Sequence, residues 1–258
     1  MPAMILVEIA GPILRIALNR PEKRNAIDEL AIAELRAAIE GVSDNADVRV
    51  VMISGNGPDF CAGMDLNAMA ESGDTSKNDG ALEFLESAER LADLYRALRD
   101  CPMPVIAAVK GRSLGGGCGL AMACDVILAA ESAKFGFPEV NIGFVPAIVM
   151  SLLRRSVGEK RAFDLLALGE PVTAREAFDL GMITRVYPDS EFDTSVAAYV
   201  AALAAKSASA MELTKKLFYE IDGLSFDAAL NAGTQVNAIA RTTADARRGF
   251  EQFGKRKR

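Results

Sequence analysis

The first forty-two residues combine two short apolar runs with one longer amphipathic stretch. Residues 4–9 and 13–18 are apolar and are separated by the turn pair Gly11-Pro12, a pattern that predicts a β-hairpin. From residue 27 to residue 42, apolar side chains recur at helical spacing, which predicts an amphipathic helix. The chain is therefore expected to begin with a hairpin followed by a helix.

Three further apolar runs, at residues 48–54, 105–109 and 125–130, predict strands. In the first of them, residues 50–53 are all apolar, which is too dense for a strand with one face in water. We therefore expect that strand to be buried on both faces. A helix is expected from about residue 81 to residue 100, and strands that alternate with helices are typical of βα units in a sheet.

The pattern changes after residue 151. From there the chain is rich in Ala, Leu and Arg at helical spacing, and residues 183–187 are its one short strand candidate. We expect an α/β core over residues 1–190, followed by a helical region over residues 191–258. The polar, small-residue stretch 71–80 is expected to be a surface loop.

The composition favours an ordinary acidic protein with a sizeable core. Half of the 258 residues are hydrophobic, and the net charge of −6 gives no electrostatic reason to expect nucleic acid as a partner. The N-terminus lacks the pattern of a signal peptide, and no apolar stretch approaches the roughly 20 residues that span a bilayer. The expectation is a cytoplasmic protein with neither nucleic acid nor a membrane as its partner.

The chain contains no histidine. Its absence excludes Ser-His-Asp and Cys-His catalysis within one chain. The four cysteines are not arranged in CxxC pairs, so no metal site is expected. Acid–base chemistry near neutral pH must then come from a carboxylate with a shifted pKa, or from Lys, Tyr or Cys.

Two loops rich in small residues, residues 60–66 and 111–120, follow predicted strands, and the second contains three consecutive glycines, 115–117. Such a run lets the backbone approach a ligand. If a helix begins within it, the first N–H groups are unpaired and lie at the positive end of the helix dipole, where they can hold an oxyanion. A tight strand-to-helix turn explains the same residues. The run is neither a dinucleotide fingerprint nor a P-loop.

One glutamate, Glu139, lies between apolar residues in a predicted loop directly after Pro138. Partial removal from water raises the pKa of a carboxyl group and suits it to proton transfer. The alternative interpretation is a solvated loop glutamate.

Taken in order and with their spacing, these motifs resemble the enoyl-CoA hydratase/isomerase (crotonase) superfamily along essentially the whole chain. The matching stretches are residues 18–21 with 25–26, 60–65, 115–118 with 123–125, 135–139, and 174–177 with 180–182. The resemblance implies a spiral of ββα units with a helical C-terminal region used for trimerisation, and hence a homotrimer or homohexamer.

The resemblance also implies an acyl-CoA thioester as substrate, with coenzyme A entering as part of it and no permanently bound cofactor. The N–H groups of Met64 and Gly116 would form an oxyanion hole for the thioester carbonyl, and Glu139 would be the acid/base. The implied acyl-CoA contacts are Lys23, Arg24, Ala26, Ala62, Asp65, Leu66 and Asn67. Lys23 and Arg24 are also interpretable as solvated loop charges, and Asp65 as a partner of local backbone N–H groups.

The sequence departs from the family pattern at Gly119. Many hydratases of the family use two glutamates, the first of them three residues after the oxyanion glycine, where this chain has Gly119. A single carboxylate can still move a proton on an enoyl thioester, as double-bond isomerases of the family do. Hydration by Glu139 with another group stays open. So do decarboxylation or hydrolysis of a CoA thioester, and acyl-CoA binding without efficient catalysis.

Overall fold

The computed structural model describes residues 3–42, 45–72 and 80–256, which form a mixed α/β fold. The strands are β1 (Ile5–Ala10), β2 (Ile13–Leu18), β3 (Val50–Gly55), β4 (Val105–Val109), β5 (Arg112–Leu114), β6 (Val126–Ala130), β7 (Lys134–Gly136), β8 (Val172–Thr173) and β9 (Arg185–Tyr187). The helices of the first two thirds are α1 (Glu29–Val42), α2 (Leu66–Ser72), α3 (Gly80–Asp100), α4 (Gly116–Ala123), α5 (Ala147–Ser156) and α6 (Glu159–Leu168). They are followed by α7 (Ala174–Asp179), α8 (Phe192–Ala204), α9 (Ala208–Glu220), α10 (Phe226–Thr242) and α11 (Ala244–Arg256). The predicted α/β class is confirmed.

The predicted loop at residues 71–80 falls mostly outside the described residues. Helix α2 extends to Ser72 and α3 begins at Gly80, and residues 73–79 are not among those described. Two short 3-10 helices, Pro21–Lys23 and Pro138–Ile142, complete the local structure that bears on the site.

The main sheet has the strand order β1-β2-β3-β4-β6-β9. Strands β1 and β2 form the predicted antiparallel hairpin, and each of the other neighbouring pairs is parallel. A smaller sheet, β5-β7-β8, lies beside it in the described part of the chain. The prediction of a loop at residues 111–120 was wrong for β5, and β7 was not predicted as a strand. Strands of three residues are too short for alternation to show in the sequence.

The main sheet is covered on both faces. Val51 and Ile53 belong to the large core that includes the buried faces of α1, α3 and α4. Val50, the neighbour of Val51, packs in a second cluster with Phe192 and Val196 of α8. Because side chains alternate along a strand, both faces of β3 are dry, which confirms the prediction made from its dense apolar run.

Helix α1 begins two residues later than the periodicity predicted. The carboxylate of Asp28 accepts a hydrogen bond from the N–H of Ala31 at 3.0 Å, which satisfies one free donor of the first turn. Ile27 is not helical because its backbone bridges Met64 in a parallel arrangement. This bridge places the start of α1 against the second half of the 60–66 loop.

Helix α9 is joined to the core through a buried lysine. Lys215 is 7% exposed, and its Nζ donates to the carbonyl oxygens of Leu98 at 2.8 Å and Met103 at 3.0 Å. The same ammonium group pairs with Asp125 at 2.8 Å. These contacts join the helical C-terminal region to the end of α3 and to the segments that flank β4 and β6. The division of the chain near residue 190 stays a prediction.

Within the described part of the chain, no single helix has the length and apolarity of a membrane span. Helices α8 and α9 meet both criteria only as a pair, with a bend of 99° between them.

Candidate active site

The glycine turn joins β5 to α4, whose residues are all buried. Gly115 stands at the N-cap with a φ of 50°, and it offers no side chain to cap the helix. Its own N–H donates to the carbonyl of Gly136 at 2.8 Å, while its carbonyl accepts from Gly119 at 3.0 Å. Across the described ranges, the N–H of Gly116 has no protein acceptor. A buried helix end without a cap is a ready site for an anion or a carbonyl oxygen.

The second backbone donor predicted for the site, the N–H of Met64, lies next to this turn. Ile27 donates to the carbonyl of Gly63 at 2.9 Å and accepts from Asp65 at 2.8 Å. In such a parallel bridge the N–H of the middle residue, Met64, faces away from Ile27. That N–H also lacks a protein acceptor in the part of the chain that is described. A Cβ atom built on Gly63 would lie 3.7 Å from the nitrogen of Gly116, so the two segments are adjacent.

Glu139 contacts the same turn. It lies in the 3-10 helix Pro138–Ile142, not in a loop as predicted. A Cβ atom on Gly115 would be 2.9 Å from its Oε1, so any other residue at position 115 would require this carboxyl group to shift. Burial raises the pKa of Glu139, against a smaller opposing effect of a backbone hydrogen bond. Its Oε2 is buried and has no hydrogen-bond partner among the described residues. An unpaired carboxylate oxygen with a raised pKa has the properties of a general base.

An apolar cavity of about 600 Å³ opens beside the turn. Met64 and Leu91 line it and also reach Gly116, where a Cβ atom would lie 3.3 Å from Met64 Cγ and 3.8 Å from Leu91 Cδ2. The other lining residues are Glu29, Met69, Glu83, Phe84, Glu86, Ser87, Ala88, Arg90, Phe144 and Ile148. The size and lining are those of a pocket for a small organic group.

The two predicted basic contacts lie at the end of the Pro21–Lys23 helix. Lys23 is 47% exposed at its side chain, and its ammonium group pairs with Asp65 at 3.0 Å. Arg24 is exposed, with a φ of 52°, and its carbonyl accepts from the N–H of Ala62 at 2.9 Å. The structure therefore brings Lys23, Arg24 and the 62–65 segment together.

Asp65 has protein partners at both carboxylate oxygens. Oδ1 accepts from the backbone N–H groups of Asn67 at 3.2 Å and Ala68 at 3.4 Å, which caps α2. Oδ2 accepts from Lys23 and from Arg20, the latter at 2.9 Å. Burial acts to raise the pKa of Asp65, but these hydrogen bonds outweigh it and lower the pKa to about 2. The geometry supports a role in shaping the loop, the alternative that the sequence left open.

The remaining predicted contacts lie along the two bridged segments. Ala26 and Ala62 are partly buried, whereas Leu66 and Asn67 are exposed in the first turn of α2. Arg20, which holds Asp65 and also pairs with Asp28 at 2.9 Å, was not predicted. Its partner Asp65 is forty-five residues away in sequence, so no short-range pattern could indicate the contact.

The space above Gly119 is filled by side chains of α3 and α5. A Cβ atom on Gly119 would lie 2.4 Å from the hydroxyl oxygen of Tyr95 and 2.4 Å from Cγ1 of Val149. There is consequently no room for a carboxylate side chain at this position. Tyr95 was also not predicted, because in the sequence it reads as one more large residue of the buried face of α3.

The cysteines near the turn are buried thiols. Burial raises the pKa of Cys61 to about 12 and raises that of Cys118 as well. Neither supplies a thiolate nucleophile near neutral pH. In residues 3–42, 45–72 and 80–256, no group of three or more His, Cys, Asp or Glu side chains is placed to hold a metal ion.

The family model for enoyl-CoA hydratase/isomerase matches residues 8–258. A Thermus thermophilus protein named "Putative enoyl-CoA hydratase" is 34% identical over 250 residues, which cover 97% of each chain. The 2,3-dehydroadipyl-CoA hydratase of Escherichia coli is 32% identical over 251 residues, covering 96% of this chain and 94% of that protein.

Solved structures give the same result for the fold. The enoyl-CoA hydratase of Mycobacterium smegmatis superposes with a TM-score of 0.92 at 30% identity, covering 98% of this chain and 96% of that one. The similarity extends over the whole architecture, which confirms the predicted crotonase-like fold.

Proposed function

The chain belongs to the enoyl-CoA hydratase/isomerase family, and from that premise we propose that its enzyme activity is proton transfer on an enoyl-CoA by a single carboxylate, Glu139. One observation supports the proposal most directly. The carboxyl group of Glu139 contacts the glycine turn at Gly115, and its buried Oε2 has no hydrogen-bond partner among the described residues. The substrate is an acyl-CoA thioester, and coenzyme A enters as part of it.

The enolate would be held by two backbone donors. The N–H groups of Met64 and Gly116 have no protein acceptor in the described residues, and their segments are in contact. Two such donors, already oriented in a water-poor site, stabilise the negative oxygen that forms when a thioester becomes an enolate. Their orientation by a helix end and a β-bridge costs no rearrangement during the reaction.

Isomerisation of a 3-enoyl-CoA needs one group that takes and returns a proton. The carboxylate of Glu139 takes a proton from C2, the C2–H electron pair forms the C1–C2 double bond of the enolate, and the charge moves to the thioester oxygen. The Glu139 carboxylic acid then gives its proton to C4. The double bond moves from C3–C4 to C2–C3, and the carboxylate is regenerated. No second acid is consumed, which agrees with the filled space above Gly119.

The acyl group would lie in the apolar cavity beside Gly116, next to Met64 and Leu91. We assign the coenzyme A part to the surface that carries Lys23, Arg24, Ala26, Ala62, Leu66 and Asn67. Lys23 and Arg24 are both exposed on this surface, and the ammonium group of Lys23 is shared with Asp65. Because the whole chain is acidic, its overall charge does not attract the phosphate groups of coenzyme A, so local cations such as these would have to bind them.

Hydration of a 2-enoyl-CoA is the second candidate, and the names of the similar hydratases favour it. In that reaction a water oxygen bonds to C3, Glu139 accepts a proton of the water, and the enolate forms in the same oxyanion hole. Glu139 then protonates C2. The catalytic group and the donors are the same in both reactions.

Product analysis separates these reactions. The protein would be incubated with 3-hexenoyl-CoA and with crotonyl-CoA, and the products would be analysed by chromatography and mass spectrometry. We expect 3-hexenoyl-CoA to give the 2-enoyl isomer without a change in mass. Gain of one water by crotonyl-CoA as the dominant reaction would establish hydration instead. Release of free coenzyme A would indicate a hydrolase, and binding without turnover an acyl-CoA carrier.

Glu139→Gln tests the assigned base. The amide keeps the shape of the side chain and cannot accept the proton, so turnover should fall by about 10²- to 10⁴-fold. Glu131→Gln is the matched control because Glu131 is exposed and outside the site, and we expect it to retain wild-type turnover. Wild-type rates in Glu139→Gln would remove Glu139 from the mechanism.

A further inference from the structure

Tyr95 contacts the glycine turn through a hydroxyl group that the proposed reaction does not use. The residue is 4% exposed, and its hydroxyl donates a hydrogen bond of 2.7 Å to the carbonyl of Gly116. Burial raises the pKa of Tyr95 well above 10, and the nearby Cys61, Cys118 and Glu139 raise it further. The hydroxyl is therefore protonated, and able to donate, at every pH at which the protein would work.

Several hydrogen bonds hold the turn besides that of Tyr95. The carbonyl of Gly115 accepts from the N–H of Gly119 at 3.0 Å, and the carbonyl of Gly117 accepts from the hydroxyl of Ser113 at 3.4 Å. Residues 115–117 are all glycine and contribute no side chains of their own, and glycine backbones have more conformations available than any other. On the N-terminal side of the proposed oxyanion donor, the N–H of Gly115 donates a hydrogen bond to the carbonyl of Gly136. The hydroxyl of Tyr95 anchors the carbonyl of Gly116 after it. The free N–H of Gly116 lies between these two hydrogen bonds.

Gly119 provides the room for this hydroxyl. A Cβ atom at residue 119 would lie 2.4 Å from the Tyr95 oxygen, far inside van der Waals contact. Any side chain there must displace the hydroxyl or shift α4 against Val149. Gly119 and Tyr95 are therefore a matched pair: the residue type at one position determines whether the other can reach Gly116.

We propose that Tyr95 is a positioning residue of the oxyanion hole, whose hydroxyl orients Gly116 so that its N–H meets the thioester oxygen, with Gly119 as the residue that admits it. The inference rests on the proposed function. Tyr95 acts through the backbone and exchanges no proton with the substrate. The position of the absent first glutamate is thus occupied by a group that serves the enolate rather than a water molecule.

The test measures how strongly the protein polarises a bound thioester. Butyryl-CoA with a ¹³C-labelled thioester carbonyl is bound to wild type, to Tyr95→Phe and to the control Tyr219→Phe, and the carbonyl stretch is recorded by infrared difference spectroscopy. Tyr219 is a suitable control because its hydroxyl also makes an internal hydrogen bond, of 2.7 Å to Asp125, away from the turn. Turnover of 3-hexenoyl-CoA and of crotonyl-CoA is measured on the same proteins.

We expect wild type and Tyr219→Phe to lower the carbonyl frequency equally, and Tyr95→Phe to lower it less. For the substrate that wild type converts, Tyr95→Phe should reduce kcat about tenfold and change KM by less than about twofold, because the lost interaction acts on the transition state. A Tyr95→Phe protein with the wild-type frequency overturns the inference, whatever its turnover. A wild-type protein that leaves the frequency unshifted overturns the proposed oxyanion hole itself, so the two failures are distinguishable.

Gly119→Ala gives a second route to the same answer, which does not depend on removing the hydroxyl. Its methyl group should force the hydroxyl away from Gly116 and weaken the carbonyl shift in the same way. In the double variant with Tyr95→Phe, the second change should then add little to the first. Full additivity of the two effects would contradict a shared mechanism and overturn the pairing of Gly119 with Tyr95.

Discussion

At the scale of single residues, the pKa of each carboxylate in the site depends on how far it is removed from water and on how many hydrogen-bond donors of the protein replace that water. Glu139 has an unpaired buried oxygen and a raised pKa, whereas Asp65 has four hydrogen-bond donors and a pKa lowered to about 2. The first environment suits a group that must accept a proton, and the second suits a permanent anion. The two acidic residues predicted for the site therefore have opposite properties in the structure.

The pH dependence of turnover follows from Glu139. Only the ionised form takes a proton, so kcat/KM should rise with pH through the pKa of this residue and level off above it. Burial raises that pKa, so the midpoint of the rise should lie above the ordinary value of 4.5. A pH–rate profile with substrate well below KM measures it. A profile flat from pH 4.5 to 8 would show that Glu139 does not titrate in the free enzyme.

Asp65→Asn should destabilise the fold in a pH-dependent way. The pKa of Asp65 is depressed, so its stabilising effect is complete above the unfolded value of 3.8 and is lost as pH falls towards 2. We expect a loss of about 1–2 kcal/mol in the free energy of unfolding at pH 7, shrinking at lower pH. Urea unfolding measures it, with exposed Asp47→Asn as the control. An equal loss at pH 7 and at pH 3 would contradict the assigned ion pairs.

Single residues of the site differ in how far the sequence could predict them. Met64, Gly116 and Glu139 belong to short motifs, so their type and spacing indicated them, and the structure brings their segments together. Tyr95 and Arg20 act through partners twenty-one and forty-five residues away. Such contacts cannot be inferred from a single sequence, because they form only when α3 and the 60–66 loop pack against their neighbours.

At the scale of elements, dense or periodic apolar runs were predicted well. The hairpin, β3, β4, β6 and α1 lie within two residues of their predicted bounds. The strands β5, β7 and β8 were missed, although two of them flank the segments that carry Gly116 and Glu139. Hydrogen bonds of the small sheet hold the glycine turn beside the 3-10 helix that contains Glu139, as in the pairing of Leu114 with Gly136. This support comes from tertiary contacts, and a strand of two or three residues is too short to show a periodic pattern of apolar residues in the sequence.

Helix α9 should depend on its buried lysine. Lys215→Met removes the donor for two carbonyl groups and leaves Asp125 with its other donors, Tyr219 and the N–H of Val105. We expect a loss of about 2–4 kcal/mol in the free energy of unfolding. Lys216→Met is the matched control, because Lys216 is the exposed neighbour on the same helix. Equal effects of the two substitutions in urea unfolding would contradict the proposed link to the core.

At the scale of the whole molecule, large apolar side chains are exposed in the helical C-terminal region. They are Phe218, Leu224, Phe226, Leu230, Ile239, Phe250 and Phe253. Exposed apolar residues gathered in one region mark an interaction surface. Together with the resemblance, they support the prediction of a homotrimer or homohexamer, with three or six times the chain mass of 27.4 kDa.

Light scattering coupled to size-exclusion chromatography measures this assembly. Phe226, 77% exposed in α10, should tolerate Asp in the monomer but not in an interface, so Phe226→Asp should lower the measured mass. Phe163→Asp is the control, because Phe163 is 71% exposed on α6, which lies before the helical C-terminal region at residues 191–258. A monomeric wild-type protein would contradict the predicted assembly, and unchanged mass in Phe226→Asp would place the interface elsewhere.

In the proposed reaction one carboxylate, Glu139, moves the proton at C2 of a bound acyl-CoA while two backbone N–H groups hold the enolate. The most direct test of this reaction is the exchange of deuterium from solvent into C2 of 3-hexenoyl-CoA, followed by nuclear magnetic resonance in D₂O. Once the proton on the Glu139 carboxylic acid has exchanged with D₂O, its return to C2 of the enolate places deuterium there. We therefore expect incorporation at C2 with wild type and with Glu131→Gln, and incorporation slowed by at least about 10²-fold with Glu139→Gln. Exchange at the wild-type rate in Glu139→Gln would contradict the proposed role of Glu139.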